Sequence, residues 1–199
     1  MRWTTMLLAA IFAFVLSACG QTDHSGMTTQ TSQTTTAGTH TMPGMANTAM
    51  PGMATAPYDA QFIDGMVEHH RGAVVMAEQA LTQAQRPELK QLAQVIIATQ
   101  QQEITQMQGW RSQWFPNLAP TGGMSMPMDA MSVAEGPEPY DQRFLTAMIV
   151  HHQDALTMGR DALTKAEHAE IKQLATAIIA AQEAEIAQMQ AWQAQWFGK

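Results

Sequence analysis

Residues 58–115 and 140–197 of this 199-residue chain align without a gap at an offset of 82, and about half of the aligned positions are identical. An internal repeat constrains the architecture before any local motif is read, because whatever one copy builds the other must build as well. Each copy opens with Tyr-Asp-x-x-Phe, passes through Met-x-x-His-His and closes with Trp-x-x-x-Trp-Phe. Residues 116–139 separate the copies and contain Pro116, Pro120, Gly122, Gly123, Pro127, Gly136, Pro137 and Pro139, the composition of a linker.

The spacing within a copy predicts two helices. Phe62, Met66, His69, Ala73, Met76 and Ala80 recur at steps of four and three, beside a parallel stripe of Ile63, Val67, His70, Val74, Ala77 and Leu81. Two adjacent stripes make a wide apolar face suited to a bundle core, and both histidines lie on it. Asp59 and Asp141 fall about where an N-cap belongs. The first helix should stop near Gln85-Arg86, since Pro87 suits only the first turn of the next. That next helix carries Leu92, Ile96, Gln100, Glu103, Met107, Trp110 and Trp114, matched by Leu174, Ile178, Gln182, Glu185, Met189, Trp192 and Trp196. The tryptophans suit core or bundle-end packing. One hairpin cannot cover its own apolar face. Two docked together give an all-α, antiparallel four-helix bundle made of two repeated helical hairpins.

The repeated pairs carry the chemistry. Thioether sulfur beside imidazole nitrogen is a donor set for soft or borderline metals, copper above all. The candidate ligands are Met66, His69, His70, Met76, Glu103 and Met107, with their counterparts Met148, His151, His152, Met158, Glu185 and Met189. Counting from a turn near residue 85 at about 1.5 Å per residue sets Met66, both histidines, Glu103 and Met107 within roughly two turns of one another. Met76 lies about 10 Å nearer the turn by the same count and belongs either to a second layer or to the core. Glu103 and Glu185 interrupt an apolar stripe, where an unpaired carboxylate is costly. A metal, or a hydrogen bond to a metal-ligating histidine, would offset that cost. Gln100 and Gln182 are either partners of the ligands or solvent-facing. Methionine on a helical stripe is also ordinary core filler.

The N-terminal segment reads as a signal. Arg2 precedes an apolar run from about Trp3 to Leu16, too short for a stable span. The run closes with Leu16-Ser17-Ala18-Cys19, so residues 1–18 resemble a bacterial lipoprotein signal peptide with Cys19 as the lipidated residue. Cys19 is the only cysteine, which excludes an intramolecular disulfide. Residues 19–57 are rich in Thr and Met, lack helical or strand periodicity, and read as a disordered tether. Nine methionines occupy the tether and the linker: Met27, Met42, Met45, Met50, Met53, Met124, Met126, Met128 and Met131. Burial cannot explain methionine on a flexible segment, so loose capture of Cu(I) or Ag(I) is expected, with oxidant scavenging as the rival role. The net charge of −7 excludes the basic footprint that nucleic acid requires.

Phe62-x-x-x-Met66-x-x-His69-His70-x-x-Ala73-x-x-Met76-Ala77, followed by Glu103-Ile104-x-x-Met107-x-x-Trp110, resembles the domain-of-unknown-function 305 family. The second copy matches at Phe144, Met148, His151, His152, Ala155, Met158, Glu185, Ile186, Met189 and Trp192, so the resemblance implies two tandem copies. It also implies a ferritin-like bundle and an association with exported copper-binding and copper-resistance proteins. The second copy departs at Thr146 for Asp64, Val150 for Glu68 and Gly159 for Ala77, which leaves room for two unequal sites.

A di-iron centre would need several core carboxylates and Glu-x-x-His pairs, which the repeats lack. A b-type haem held by Met and His is a chemical alternative, as is a structural or interaction lipoprotein module without metal. Nothing singles out a catalytic base beside an open metal position, so the chain is not expected to be an enzyme. The expectation is an exported copper-binding lipoprotein, anchored by Cys19 to a bacterial membrane and facing the periplasm or cell exterior. It would sequester copper or transfer it to or from a copper-exporting or copper-accepting protein. Cu(I) is the favoured ion, with Cu(II) and Ag(I) as further candidates.

Overall fold

The computed structural model describes residues 56–121 and 132–198, and within them the chain forms four helices and no strand. Helix α1 spans Tyr58–Gln83, α2 Pro87–Trp114, α3 Tyr140–Lys165 and α4 Ala169–Phe197. Cys19, the tether up to residue 55 and the linker methionines at 124–131 lie outside the described residues.

Each hairpin turns through three residues, Ala84–Arg86 and Ala166–His168. Pro87 takes the first position of α2, where its missing N–H leaves no bond unmade. Arg86 before it is extended, at φ −89° and ψ 128°, as a residue preceding proline must be. In the second copy Ala169 replaces the proline, yet His168 takes nearly the same backbone, φ −75° and ψ 130°. The turn geometry therefore has a cause other than proline, and it lies in the opposite hairpin.

That cause corrects the assignment of Asp59 and Asp141. The residues before α1 and α3 are Pro57 and Pro139, and neither helix has a side-chain cap. Asp59 instead reaches across the bundle and accepts from the main-chain N–H groups of Glu167 and His168, at about 3 Å. Asp141 accepts likewise from Gln85 (2.9 Å) and Arg86 (3.1 Å). Each aspartate satisfies N–H groups at the start of the other hairpin's second helix. The same bonds hold the hairpins together. Both carboxylates are buried. Burial raises the Asp59 pKa, but the His168 ring at 2.5 Å and the two main-chain donors outweigh it and hold the carboxyl below its ordinary range.

α1 packs on α2, α3 on α4, and the hairpins meet along α1 and α3. The pairing of Asp59 with the α3–α4 turn makes α1 and α3 antiparallel. The buried side chains form two apolar clusters, one towards each end. One holds Met76, Leu89, Ile96, Phe144, Met148 and Met189. The other holds Phe62, Met66, Met107, Met158, Ile171 and Ile178. Tryptophans close the ends. Trp114 stacks on His168 with ring centres 3.8 Å apart, and at the other end the Arg86 guanidinium lies 4.3 Å above Trp196.

Candidate metal centre

Between the two apolar clusters lies a polar layer. His69 and His70 occupy the middle of α1, and His151 and His152 the middle of α3. His69, His70 and His152 are inaccessible to solvent and His151 is 4% exposed. The rings of His69 and His151 meet where α1 and α3 cross, with centres 3.8 Å apart. His70 and His152 lie outward of them, their ring centres 6.2 and 6.4 Å from those of His69 and His151. Each outer ring is held by a carboxylate of its own hairpin, with His70 Nε2–H donating to Glu103 and His152 Nε2–H to Glu185, both at 2.7 Å. A carboxylate only accepts, so Nε2 carries a proton, and Nδ1 is the nitrogen left buried without a partner.

Six ring nitrogens in this layer are buried without a hydrogen-bond partner: both of His69, both of His151, and Nδ1 of His70 and of His152. The two central rings approach each other's main chain, but neither reaches hydrogen-bond geometry. Burial, reinforced by the neighbouring imidazoles, pushes the His69 pKa down to about 2 and that of His151 to about 3. Both rings are neutral at physiological pH, the form that ligates metal. Buried polar atoms left unpaired are costly, and so many in one layer mark a functional constraint.

The methionines flank this layer. The His70–Glu103 and His152–Glu185 bonds fix each hairpin's register and set Met66 level with Met107, and Met148 with Met189, about 6 Å from the bonded pairs at the helical rise. All four are fully buried. Met76 and Met158 are buried too, but lie about 15 Å along the helix from Met66 and Met148. Met76 joins the cluster of Met148 and Met189, and Met158 that of Met66 and Met107. Each of these two therefore packs across the histidine layer from its own repeat's Met-x-x-His-His, among the other hairpin's methionines.

The carboxylates that distinguish the copies are engaged elsewhere. Asp64 pairs with Arg111 at 2.8 Å and accepts from the Thr121 N–H and hydroxyl. The equivalent positions in the second copy make an uncharged bond, Gln193 to Thr146 at 3.0 Å. Glu68 pairs with Arg71 at the surface. A Cβ at Gly159 would stand 3.0 Å from Ile179, so that departure is a matter of packing. Gln100 and Gln182 do not face solvent. Each is 3% exposed with its side-chain oxygen unpaired. Their identity in both copies, three residues before the core glutamates, was the signal in the sequence.

Known proteins share this architecture. The profile of the family described as "Domain of unknown function (DUF305)" matches residues 10–111 and 141–199. A solved structure of CopM in the Cu(I)-bound form is 41% identical, covering 70% of this chain and 97% of that one at a TM-score of 0.62. CopM has also been solved with Ag and with Cu(II), at TM-scores of 0.61 and 0.62. A DUF305 protein of Streptomyces coelicolor, named as secreted, is 26% identical over 70% of this chain and 93% of its own, at a TM-score of 0.61. An uncharacterised protein of Acanthamoeba polyphaga mimivirus is 41% identical over 49 residues, 25% of this chain and 32% of the viral protein. The chain belongs to the DUF305 family.

Proposed function

We propose that this protein binds copper outside the cytoplasm in the histidine layer of its bundle, and that it sequesters the ion or hands it to another protein without catalysing a reaction on it. The observation that carries this reading is the set of six buried, unpartnered imidazole nitrogens, two of them on rings oriented by carboxylates. A carboxylate that holds the far nitrogen of a histidine fixes its tautomer and raises its basicity as a ligand. Among the described residues no three His, Cys, Asp or Glu side chains converge as a metal-holding group. An ion here must complete its shell with other donors, and the paired thioethers Met66/Met107 and Met148/Met189 are the soft atoms at hand. The assigned ligands are His69, His70, His151 and His152 with these methionines, and Glu103 and Glu185 as orienting carboxylates. Met76 and Met158 stand further off, as a reserve of sulfur in each cluster. The CopM structures with Cu(I), Cu(II) and Ag support the same ion class.

The cellular setting belongs to the proposal. The Leu-Ser-Ala-Cys run at 16–19 is assigned to lipid anchoring through Cys19, and the methionines of the tether and linker to first capture of the ion. The Streptomyces coelicolor relative, whose name describes it as secreted, supports export. The test is Cu(I) and Ag(I) titration of the protein and of a variant with all four histidines changed to leucine. The variant is expected to lose the bundle's equivalents and keep those of the methionine-rich segments. Unchanged stoichiometry and affinity would refute the core site. A Soret band in the purified protein would favour haem instead.

A further inference from the structure

Gln100 and Gln182 have no packing rationale. Leucine would fill the same space without enclosing an unpaired oxygen, yet both copies keep glutamine and both bury its Oε1 without a partner. The two stand three residues before Glu103 and Glu185, on the helix face that carries Met107 and Met189. The His70–Glu103 bond sets the register of α1 on α2, and the His69–His151 contact that of α1 on α3. At about 1.5 Å per residue, these registers put Gln100 at the level of Met148 and Met189 in the other hairpin. By symmetry Gln182 falls at the level of Met66 and Met107. Each buried amide oxygen is therefore level with a thioether pair contributed by the opposite hairpin, and one helical turn from the imidazoles.

We infer that Gln100 and Gln182 are specificity-determining residues that supply the oxygen donors by which the core accepts Cu(II) as well as Cu(I). This rests on the copper-binding reading above. Thioether and imidazole alone suit Cu(I) and Ag(I), whereas Cu(II) prefers tetragonal nitrogen and oxygen donors. Imidazole nitrogen is common to both sets. What changes between them is whether sulfur or oxygen completes the shell, and the fold provides one of each on either side of the histidine layer. The order of levels, sulfur and oxygen from opposite hairpins, also makes each half of the centre depend on both copies.

The experiment measures Cu(II) affinity by chelator competition and electron paramagnetic resonance, and Ag(I) affinity by competition, on the full chain and on Gln100→Leu/Gln182→Leu. Loss of the oxygens is expected to weaken Cu(II) by about tenfold or more, the usual effect of removing a supporting group at a metal site, and to leave Ag(I) within about twofold. Gln100→Glu/Gln182→Glu keeps an oxygen donor and adds charge, so it is expected to strengthen Cu(II) and not Ag(I). This second variant decides the matter even where the leucine protein folds poorly. If the copper reading itself is wrong, wild-type protein will show no histidine-dependent binding of either ion. If histidine-dependent binding is present and both glutamine variants leave the Cu(II)-to-Ag(I) affinity ratio unchanged, the assignment of the glutamines is overturned.

Discussion

Replacing His69 by leucine should make the metal-free protein more stable. The ring is wholly buried, it is uncharged, and neither nitrogen has a partner. An unsatisfied buried polar atom costs about 1–3 kcal/mol. Leucine removes two such atoms and restores apolar contact at similar volume. Against this stands the loss of the close packing on His151, where rings at 3.8 Å contribute about 0.5–1.5 kcal/mol. The net expectation is a gain of roughly 1–3 kcal/mol, which for a domain of this size raises Tm by about 3–10 °C. Metal reverses the order, because a ligand that binds only the folded wild type adds about 4.1 kcal/mol at about a thousand times its Kd, more than the variant's gain. Scanning calorimetry of both proteins, with and without Ag(I), should therefore show the variant melting higher when metal-free and wild type melting higher when loaded. A metal-free variant destabilised by more than about 1 kcal/mol would mean that the ring nitrogens are satisfied in the folded protein, and the central argument for a metal centre would fall.

Acid should weaken the metal-free protein early. His69 and His151 stay neutral when folded but protonate near 6.5 when unfolded, so the unfolded chain binds more protons as pH drops. Stability is then complete above that value and declines below it, by up to about 1.4 kcal/mol per ring per pH unit. Urea midpoints that stay flat between about pH 7 and pH 5 would contradict this. Asp59→Ala should cost about 1–3 kcal/mol and speed hydrogen exchange at Glu167 and His168 but not at Gln85 and Arg86, with Asp141→Ala giving the converse. Transplanting the second copy's uncharged pair, Asp64→Thr with Arg111→Gln, should cost at least about 1 kcal/mol less than the sum of the single changes in a thermal-melt cycle. Additive losses would show the pair to be uncoupled.

The periodicity of the repeat carried the four helices, their pairing into hairpins and the burial of the histidines, because period and composition are local properties. Glu103 was legible as well, since a carboxylate in an apolar stripe demands a partner and His70 supplies one. The destination of Asp59 was not. A residue in the first turn of a helix looks like that helix's own cap, and only the docking of the hairpins brings another helix's free N–H groups within reach. The same limit applied to Met76. Distance along one helix shows it leaving its own histidines, but not that the antiparallel crossing of α1 and α3 delivers it to Met148 and Met189. Gln100 failed for a different reason, because a polar residue on a helix face reads equally well as surface until its neighbours are known.

The crossed aspartate bonds bear on how such a chain could come to exist. One copy of the repeat already contains both halves of the contact, the carboxylate in its first helix and the turn whose N–H groups that carboxylate accepts. Two separate one-repeat chains could satisfy each other with the same bonds, as the two faces of any twofold dimer do. Joining them adds no contact and changes only how often the halves meet. Once joined, however, the halves need no longer match. The charged Asp64–Arg111 pair within one hairpin and the neutral Gln193–Thr146 pair at the equivalent positions of the other show two matching hairpins becoming different from each other.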